Sequence, residues 1–445
     1  MKRKIIQLIV LSLLWPGLYA QAQEKKLLSL QEAINLSIKH SNQLKNSQAK
    51  VEEATAALKE AVQKRGPDVS LSGSYLRLTA ANLALKKSGN NNGGNNNSGE
   101  TPKPNQAMYA IGNVSLPLFT GGRIRYGIQM SEYLEKAAML DVESQKEEVI
   151  QTTIEAFATL FKAHSTVRLV KENLAQSRSR EKDLSNMEKN GLLARNDLLK
   201  AELQTSDIEL SLLDAENNLK LANVNMDLML GLPVATDLEL DTAGIAREVD
   251  TRVLDDFWQL ALKNRKDLEA ISLRTKAANT NVQIVKGEQW PSVQLSGGYI
   301  AADIPKVFSV TNALNIGLGV SYNIGSLWKN KAKREQAEAR EKQMIANEAL
   351  LNDKALLEVN QDYYALISNR KKIEVFAKAL EQAKENYRIV KNKFDNALAT
   401  TTELLDADVA QLQASLRYTL SRADAFVAYS KLLQTTGILS QEIVK

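Results

Sequence analysis

Between Arg123 and Asn190 the chain has no proline and a single glycine, Gly127, and between Leu327 and Asn396 it has neither. Each run predicts one unbroken helix, roughly 100 Å long at 1.5 Å per residue. That is far too long for a globular domain, so other segments must cover it. The apolar positions show how. Ile150 and Phe157 in the first run correspond to Leu356 and Tyr363 in the second, and Leu160, Val167 and Leu174 correspond to Leu366, Ile373 and Leu380. Spacings of seven mark a coiled-coil seam. After a turn at Gly191, a shorter helix is expected over 197–230, and its counterpart over 403–436. An earlier helix opens with the capping box Ser29/Glu32, breaks at Ser41-Asn42 and stops at Gly66-Pro67. Two short helices stacked end to end would match one long helix.

The correspondence extends over the whole chain. Leu30, Leu36, Lys39 and Leu44 recur 224 residues later as Leu254, Leu260, Lys263 and Leu268, and Pro67–Tyr75 recurs as Pro291–Tyr299. The offset then falls to 206, matching Val114-Ser115 with Val320-Ser321, Leu198-Leu199 with Leu404-Leu405, and Gly231 with Gly437. The lost residues coincide with an Asn/Gly stretch, 88–99, which cannot bury a core and reads as an exposed loop. The chain is therefore two repeats, 23–233 and 253–439, joined by a linker over 234–252 and followed by a tail over 440–445.

Lys2, Arg3 and Lys4, an apolar run from Ile5 to Leu14, and Ala20-Gln21-Ala22 form an export signal over 1–22, too short to span a bilayer. Its removal takes the net charge from +5 to +2, which gives no basis for nucleic-acid binding. With no cysteine there is neither a disulfide framework nor a lipidated cysteine at the cleavage site. The two histidines, His40 and His164, read as packing residues, and no metal site or cofactor is expected.

Two β segments lie between the first and the long helix of each repeat, over 68–79 and 107–119, then over 292–302 and 313–325. In the first, Val69, Leu71 and Tyr75 alternate with Ser70, Ser72 and Ser74. Its partner sets Val293, Leu295 and Tyr299 against Gln294, Ser296 and Gly298. Alternation over about ten residues suits strands that face lipid on one side, with those six residues on the lipid face. Four strands cannot close a barrel, and an open edge in lipid leaves backbone groups unsatisfied, so such strands require neighbouring chains.

Leu118-Phe119-Thr120-Gly121-Gly122-Arg123 at a strand-to-helix junction, Gly191-Leu192-Leu193-Ala194-Arg195-Asn196-Asp197-Leu198 at a hairpin tip and Leu230-Gly231-Leu232-Pro233, in this order and duplicated, resemble the TolC family of outer-membrane efflux proteins. The resemblance covers about 28–437. It implies a mainly helical fold with transmembrane β structure: a homotrimer whose helices form a periplasmic barrel continuous with a twelve-stranded outer-membrane barrel. It implies an exit duct for a tripartite efflux or type I secretion system, docked on a periplasmic adaptor protein and an inner-membrane pump of the RND or ABC class. Gly121 and Gly122 would let the chain turn sharply from sheet to helix.

The second tip, Phe394–Ala407, aligns with the family segment whose two acidic positions line the closed aperture; here these are Glu403 and Asp406. Three residues apart on a helix, they share a face. A ring of them would favour cations and raise the proton affinity of its members. Asp197 matches a family position that helps latch neighbouring helices. The sequence departs from the pattern at Ala397, where glycine is usual, and at Ala399, where some members carry a latching Arg. Arg195 is the candidate substitute. Leu192, Leu198 and Leu398 complete the tip and adaptor-docking set with Gly191. No phosphate loop, nucleophile elbow or Cys/His constellation points to an enzyme. A periplasmic coiled-coil adaptor or scaffold is the remaining alternative, one that should lack the four alternating strands.

Overall fold

The computed structural model describes residues 25–79, 104–234, 236–241, 252–305 and 307–443. The export signal, the Asn/Gly stretch 88–99 and most of the linker lie outside the described residues. The helices are α1 (Leu30–His40), α2 (Asn42–Gln63), α3 (Arg123–Lys189), α4 (Arg195–Leu230), α5 (Leu254–Asn264), α6 (Lys266–Gly287), α7 (Ser326–Asp395), α8 (Thr401–Thr435) and α9 (Leu439–Ile443). The strands are β1 (Lys25–Leu28), β2 (Asp68–Arg77), β3 (Gln106–Phe119), β4 (Asp237–Leu240), β5 (Ser292–Ile304) and β6 (Phe308–Ser321). No helix among the described residues is long and apolar enough to cross a membrane.

Three features depart from the sequence reading. The segment read as a linker contains β4, which pairs in parallel with β1, Lys25 opposite Asp237 and Leu28 opposite Leu240. Four-residue strands with no alternation over several turns leave no period to detect. The segment read as a tail folds into α9, with Leu439 and Ile443 buried. Strand β6 begins at Phe308, ahead of the expected 313, because β5 and β6 are joined by a tight hairpin with Ile304 opposite Phe308.

The chain divides into two compact units. The first takes its described residues from 25–47, 142–266 and 352–443. Its core gathers Leu28, Ile34, Ile150, Ile154, Phe157, Leu160, Met226, Leu238, Phe257, Leu366, Leu432 and Leu439. Phe157 and Leu160 are fully buried, as their places in the seven-residue seam require. At about 2 kcal/mol for each large side chain fully buried, this core holds α3 to its neighbours. Further along α3, Val170 and Leu174 pack on Ile208 of α4, continuing the seam. His164 reaches the Leu238 carbonyl with Nε2 at 3.1 Å.

The repeat survives in detail. Ser41 interrupts α1 and α2, and Arg265, 224 residues later, interrupts α5 and α6, with ψ of 115° and 113°. Gly231 and Gly437, both left-handed, close the returning helices, and a Cβ on either would strike the residue before these breaks. On Gly231 it would lie 2.7 Å from the His40 ring, and on Gly437 2.8 Å from the Asn264 backbone. One Arg265 nitrogen lies 2.8 Å from Glu358 Oε2.

The second unit takes its described residues from 48–141 and 267–351 and contains a four-stranded antiparallel sheet of order β2-β3-β5-β6. The register puts Val69, Val114, Gly297 and Ile316 in one cross-strand row and Leu71, Gly112, Tyr299 and Leu314 in the next, so these share a face. Leu295 pairs with Leu318 and Val293 with Val320 on the same face. The opposite face carries rows such as Ser70, Asn113, Gly298 and Asn315. Leu71, Leu314 and Ile316 are each more than 80% exposed in the single chain. The outer edges of β2 and β6 have no strand partner among the described residues.

Candidate functional site

The two hairpin tips of the first unit are built alike from unlike residues. At the end of α3, Leu192 N–H donates to the Met187 carbonyl at 2.9 Å around Gly191, whose φ is +73°. At the end of α7, Leu398 N–H donates to the Lys393 carbonyl at 2.7 Å around Ala397, whose φ is +59°. Both are the six-to-one helix stop that usually takes glycine at its left-handed residue. Ala397 accepts a conformation costing an L-residue roughly 1–2 kcal/mol. Leu192 and Leu398 are exposed on these turns, whereas Leu198 is buried with Leu184 and Ala201 against Phe394.

Helix α8 starts from a full capping box. Glu403 accepts from Thr400 N–H at 2.7 Å and from the Thr400 hydroxyl at 2.9 Å, while Glu403 N–H donates back to Thr400 Oγ1 at 3.2 Å. These bonds from Thr400 hold the Glu403 carboxyl below its usual range, the opposite direction, within one chain, to that expected of a closed ring. Asp406 lies one turn on, and both carboxylates are exposed in the single chain.

Asp197 and Arg195 do not meet. Arg195 approaches Glu202 at 4.0 Å, while Asp197 accepts from Lys200 Nζ at 3.1 Å, and the same ammonium donates to Thr402 Oγ1 at 3.3 Å. Lys200 therefore ties the first tip to the second within the chain, and the sequence reading missed it. The signal was there: 206 residues on, the repeat partner of Lys200 is Asp406, so the two tips carry opposite charges at one position.

Also missed was a buried charge network behind the second tip. Asp408, 2% exposed, receives Asn173 Nδ2 at 3.2 Å and faces Arg180 Nη2 at 3.0 Å. Arg180 is 10% exposed, and its angle to Asp408 is too oblique for a hydrogen bond, so the attraction between them is Coulombic.

A second buried acid, Asp227, lies in the last turn of α4. It is fully buried with one oxygen unpartnered, while the other accepts from Asn223 Nδ2 at 3.1 Å. Burial pushes its carboxyl up to about 6, against a smaller opposing effect of the Thr236 N–H. An acid raised in the folded state contributes stability below its unfolded value near 3.9, and that stability is lost as pH rises through about 6. Asp227→Asn is thus expected to raise stability by about 1–2 kcal/mol at pH 7.5 and to leave it unchanged at pH 4. Thermal melts across pH 4–8 check this; equal gains at both ends would refute it.

At the junction between β3 and α3, Gly121 and Gly122 have φ of +65° and +82°. A Cβ on Gly121 would lie 2.3 Å from the Gly287 carbonyl oxygen, and one on Gly287 2.6 Å from that of Gly121. The two backbones touch, and Gly287 is a required residue that the motif alone did not reveal. The second junction has no glycine pair. There Asn323 Oδ1 accepts from Gly325 N–H at 3.1 Å, and the turn closes with Ser326 N–H on the Asn323 carbonyl at 2.9 Å.

No curated protein matches the chain. Among solved structures it is similar to the outer membrane protein VceC of Vibrio cholerae, at 19% identity and a TM-score of 0.77 over 92% of this chain and 96% of that one. It is also similar to the CmeC outer membrane channel of Campylobacter jejuni, at 18% identity and 0.77 over 92% and 86%, and to the open state of the MtrE outer membrane channel of Neisseria gonorrhoeae, at 16% and 0.72 over 92% and 89%. These likenesses show the fold. The outer membrane efflux protein family model matches 33–232 and 257–437, one stretch inside each of the repeats expected over 23–233 and 253–439, and this favours the channel over the scaffold. The chain therefore belongs to the outer membrane efflux protein family and is an efflux protein of the outer membrane.

Proposed function

We propose that three copies of this chain assemble into one passive duct, their sheets closing a twelve-stranded barrel, and that the duct carries substrates delivered by an inner-membrane RND or ABC pump through a periplasmic adaptor. The observation that carries the reading is the sheet itself. It has an apolar face including Val69, Leu71, Tyr75, Val293, Leu295 and Tyr299, a polar face, and two outer edges, β2 and β6, with no strand partner among the described residues. Edges of this kind persist in lipid only when neighbouring copies pair with them. The exposed Leu192 and Leu398, carried on the turns at Gly191 and Ala397, form the surface on which the adaptor docks, while the buried Leu198 packs beneath it against Phe394 rather than facing the adaptor; Asp197, Lys200 and Arg195 tune how the tips hold together.

Glu403 and Asp406 line the aperture and select for cations. Because Glu403 also caps α8, alanine would confuse charge with helix stability, whereas glutamine keeps the capping box. Glu403→Gln with Asp406→Asn is expected to weaken block by polyvalent cations in planar-bilayer recordings by about tenfold or more. Unchanged block in a channel of wild-type conductance would remove the ring. Crosslinking in outer-membrane fractions tests the assembly: a protein that stays monomeric there would end the trimer reading.

A further inference from the structure

The helical end of the sheet has a chemistry that the duct itself does not need. The antiparallel register puts the starts of β2 and β5 beside the ends of β3 and β6, with Asp68 opposite Ser115 and Ser292 opposite Ser321. Helices α2, α3, α6 and α7 therefore all meet the sheet at one end. Exposed aromatic side chains gather there: Phe119, Trp290, Tyr322 and Trp328, the two tryptophans 63% and 65% exposed. Cations follow within the next turns: Lys64 and Arg65 just past the end of α2, Arg123 and Arg125 opening α3, and Lys329, Lys331, Lys333 and Arg334 opening α7.

Positive charge at a helix N-terminus opposes the dipole, and neither α3 nor α7 has an acid in its first turn to compensate. Part of this charge is matched internally, by Glu60 on Lys64, Glu288 on Lys333 and Glu338 on Arg334. Arg65, Arg125 and Lys329 are exposed with no acid among the described residues at ion-pair distance, and Lys331 has only Glu335 at 4.0 Å. On α7, buried Asn330 and Ala337 fix the inner face. At 100° per residue, Trp328 then lies opposite that face, between Lys329 and Lys331. An indole flanked by two ammonium groups, next to an apolar sheet face, matches the boundary where acyl chains give way to phosphate.

We propose that Arg65, Arg125, Lys329 and Lys331, set around Trp290 and Trp328, form a belt that binds the headgroup phosphates of anionic phospholipids in the periplasmic leaflet. The proposal rests on the membrane reading of the sheet. Lipid phosphate supplies the negative charge that both helix starts lack, and the indoles fix the depth at which it is met.

The test uses the full chain, purified from outer membranes and placed in mixed phosphatidylglycerol and phosphatidylcholine, with retained lipid counted by native mass spectrometry. Wild-type protein is expected to retain phosphatidylglycerol preferentially, and the preference to fall roughly fivefold per cation removed through Arg65→Gln, Arg125→Gln, Lys329→Gln and Lys331→Gln. If the combined variant does not fold, wild-type protein in about 0.1 and 1 M salt gives the same answer, since the preference must collapse as the charges are screened. Equal retention of both lipids, or a preference unchanged by salt and substitution, overturns the proposal. So does displacement of phosphatidylglycerol by millimolar inorganic phosphate, which would mark a free-phosphate site. A protein that inserts without lipid preference loses only the belt, whereas one that fails to insert at all contradicts the membrane reading.

Discussion

Gly121→Ala is expected to abolish accumulation of folded protein in the outer membrane. The left-handed φ of +65° alone would cost roughly 1–2 kcal/mol. The larger cost is steric. The new methyl carbon would lie 2.3 Å from the Gly287 carbonyl and 2.9 Å from Trp290 Cβ, and both belong to the chain entering β5. Backbone cannot swing aside as a long side chain does, so the loss should exceed about 4 kcal/mol, a large part of a typical folding free energy. Neighbouring glycines give the controls. At Gly122 the nearest atoms are the Tyr126 ring at 3.0 Å, which can turn, and at Gly191 nothing lies within 4 Å. Gly191→Ala should cost only about 1–2 kcal/mol and still assemble. Heat-modifiable migration in gels, quantified for the three variants, checks the order. Wild-type levels of Gly121→Ala would refute the contact.

The next largest effect is expected at Arg180. Arg180→Ala leaves Asp408, 2% exposed in the native chain, with Asn173 as its one side-chain hydrogen-bond donor among the described residues. Removing one partner of a buried ion pair costs about 3–5 kcal/mol, because the remaining charge keeps its desolvation penalty. The same pair replaced as a unit, Arg180→Met with Asp408→Leu, should recover most of that loss, since it leaves no orphaned charge. Thermal unfolding of the single and double variants decides it. If the double variant falls by the sum of the two single losses, the side chains are not coupled.

What could be read in the sequence, and what could not, follows from how far each signal extends. The alternation from Val69 to Tyr75 and from Val293 to Tyr299 puts Val69, Leu71, Tyr75 and their repeat counterparts Val293, Leu295 and Tyr299 on one face, and the register keeps them there. Gly121 and Gly122 are legible because the pair sits where a strand pattern gives way to a helix pattern, and both have positive φ, whereas the adjacent Gly297 and Gly298 lie within β5 and do not. The β1–β4 pair was not legible, since its members lie some 210 residues apart and four residues carry no period. Lys200 is legible only through the repeat: alone, a lysine in a helix rich in charge looks solvated, and its opposite charge to Asp406 at the matching position is the one signal before the second tip places Thr402 within reach. Asp408 was invisible for a related reason. It lies two residues after Asp406, and two positions on a helix face different ways, so one carboxylate meets solvent while the other is enclosed.

The sheet order has a consequence for biogenesis. Strands β3 and β5 are hydrogen-bonded neighbours, yet the chain between Phe119 and Ser292 contains two long helices and most of one repeat's core. Pairings so distant along the polypeptide pay their loop-closure entropy late, which makes them slow. The two hairpins therefore form early and wait, each with a bare edge and an oily side, while the intervening helices settle. During that interval the nascent chain is at its most aggregation-prone, and an escort that shields such ribbons in transit would be most valuable.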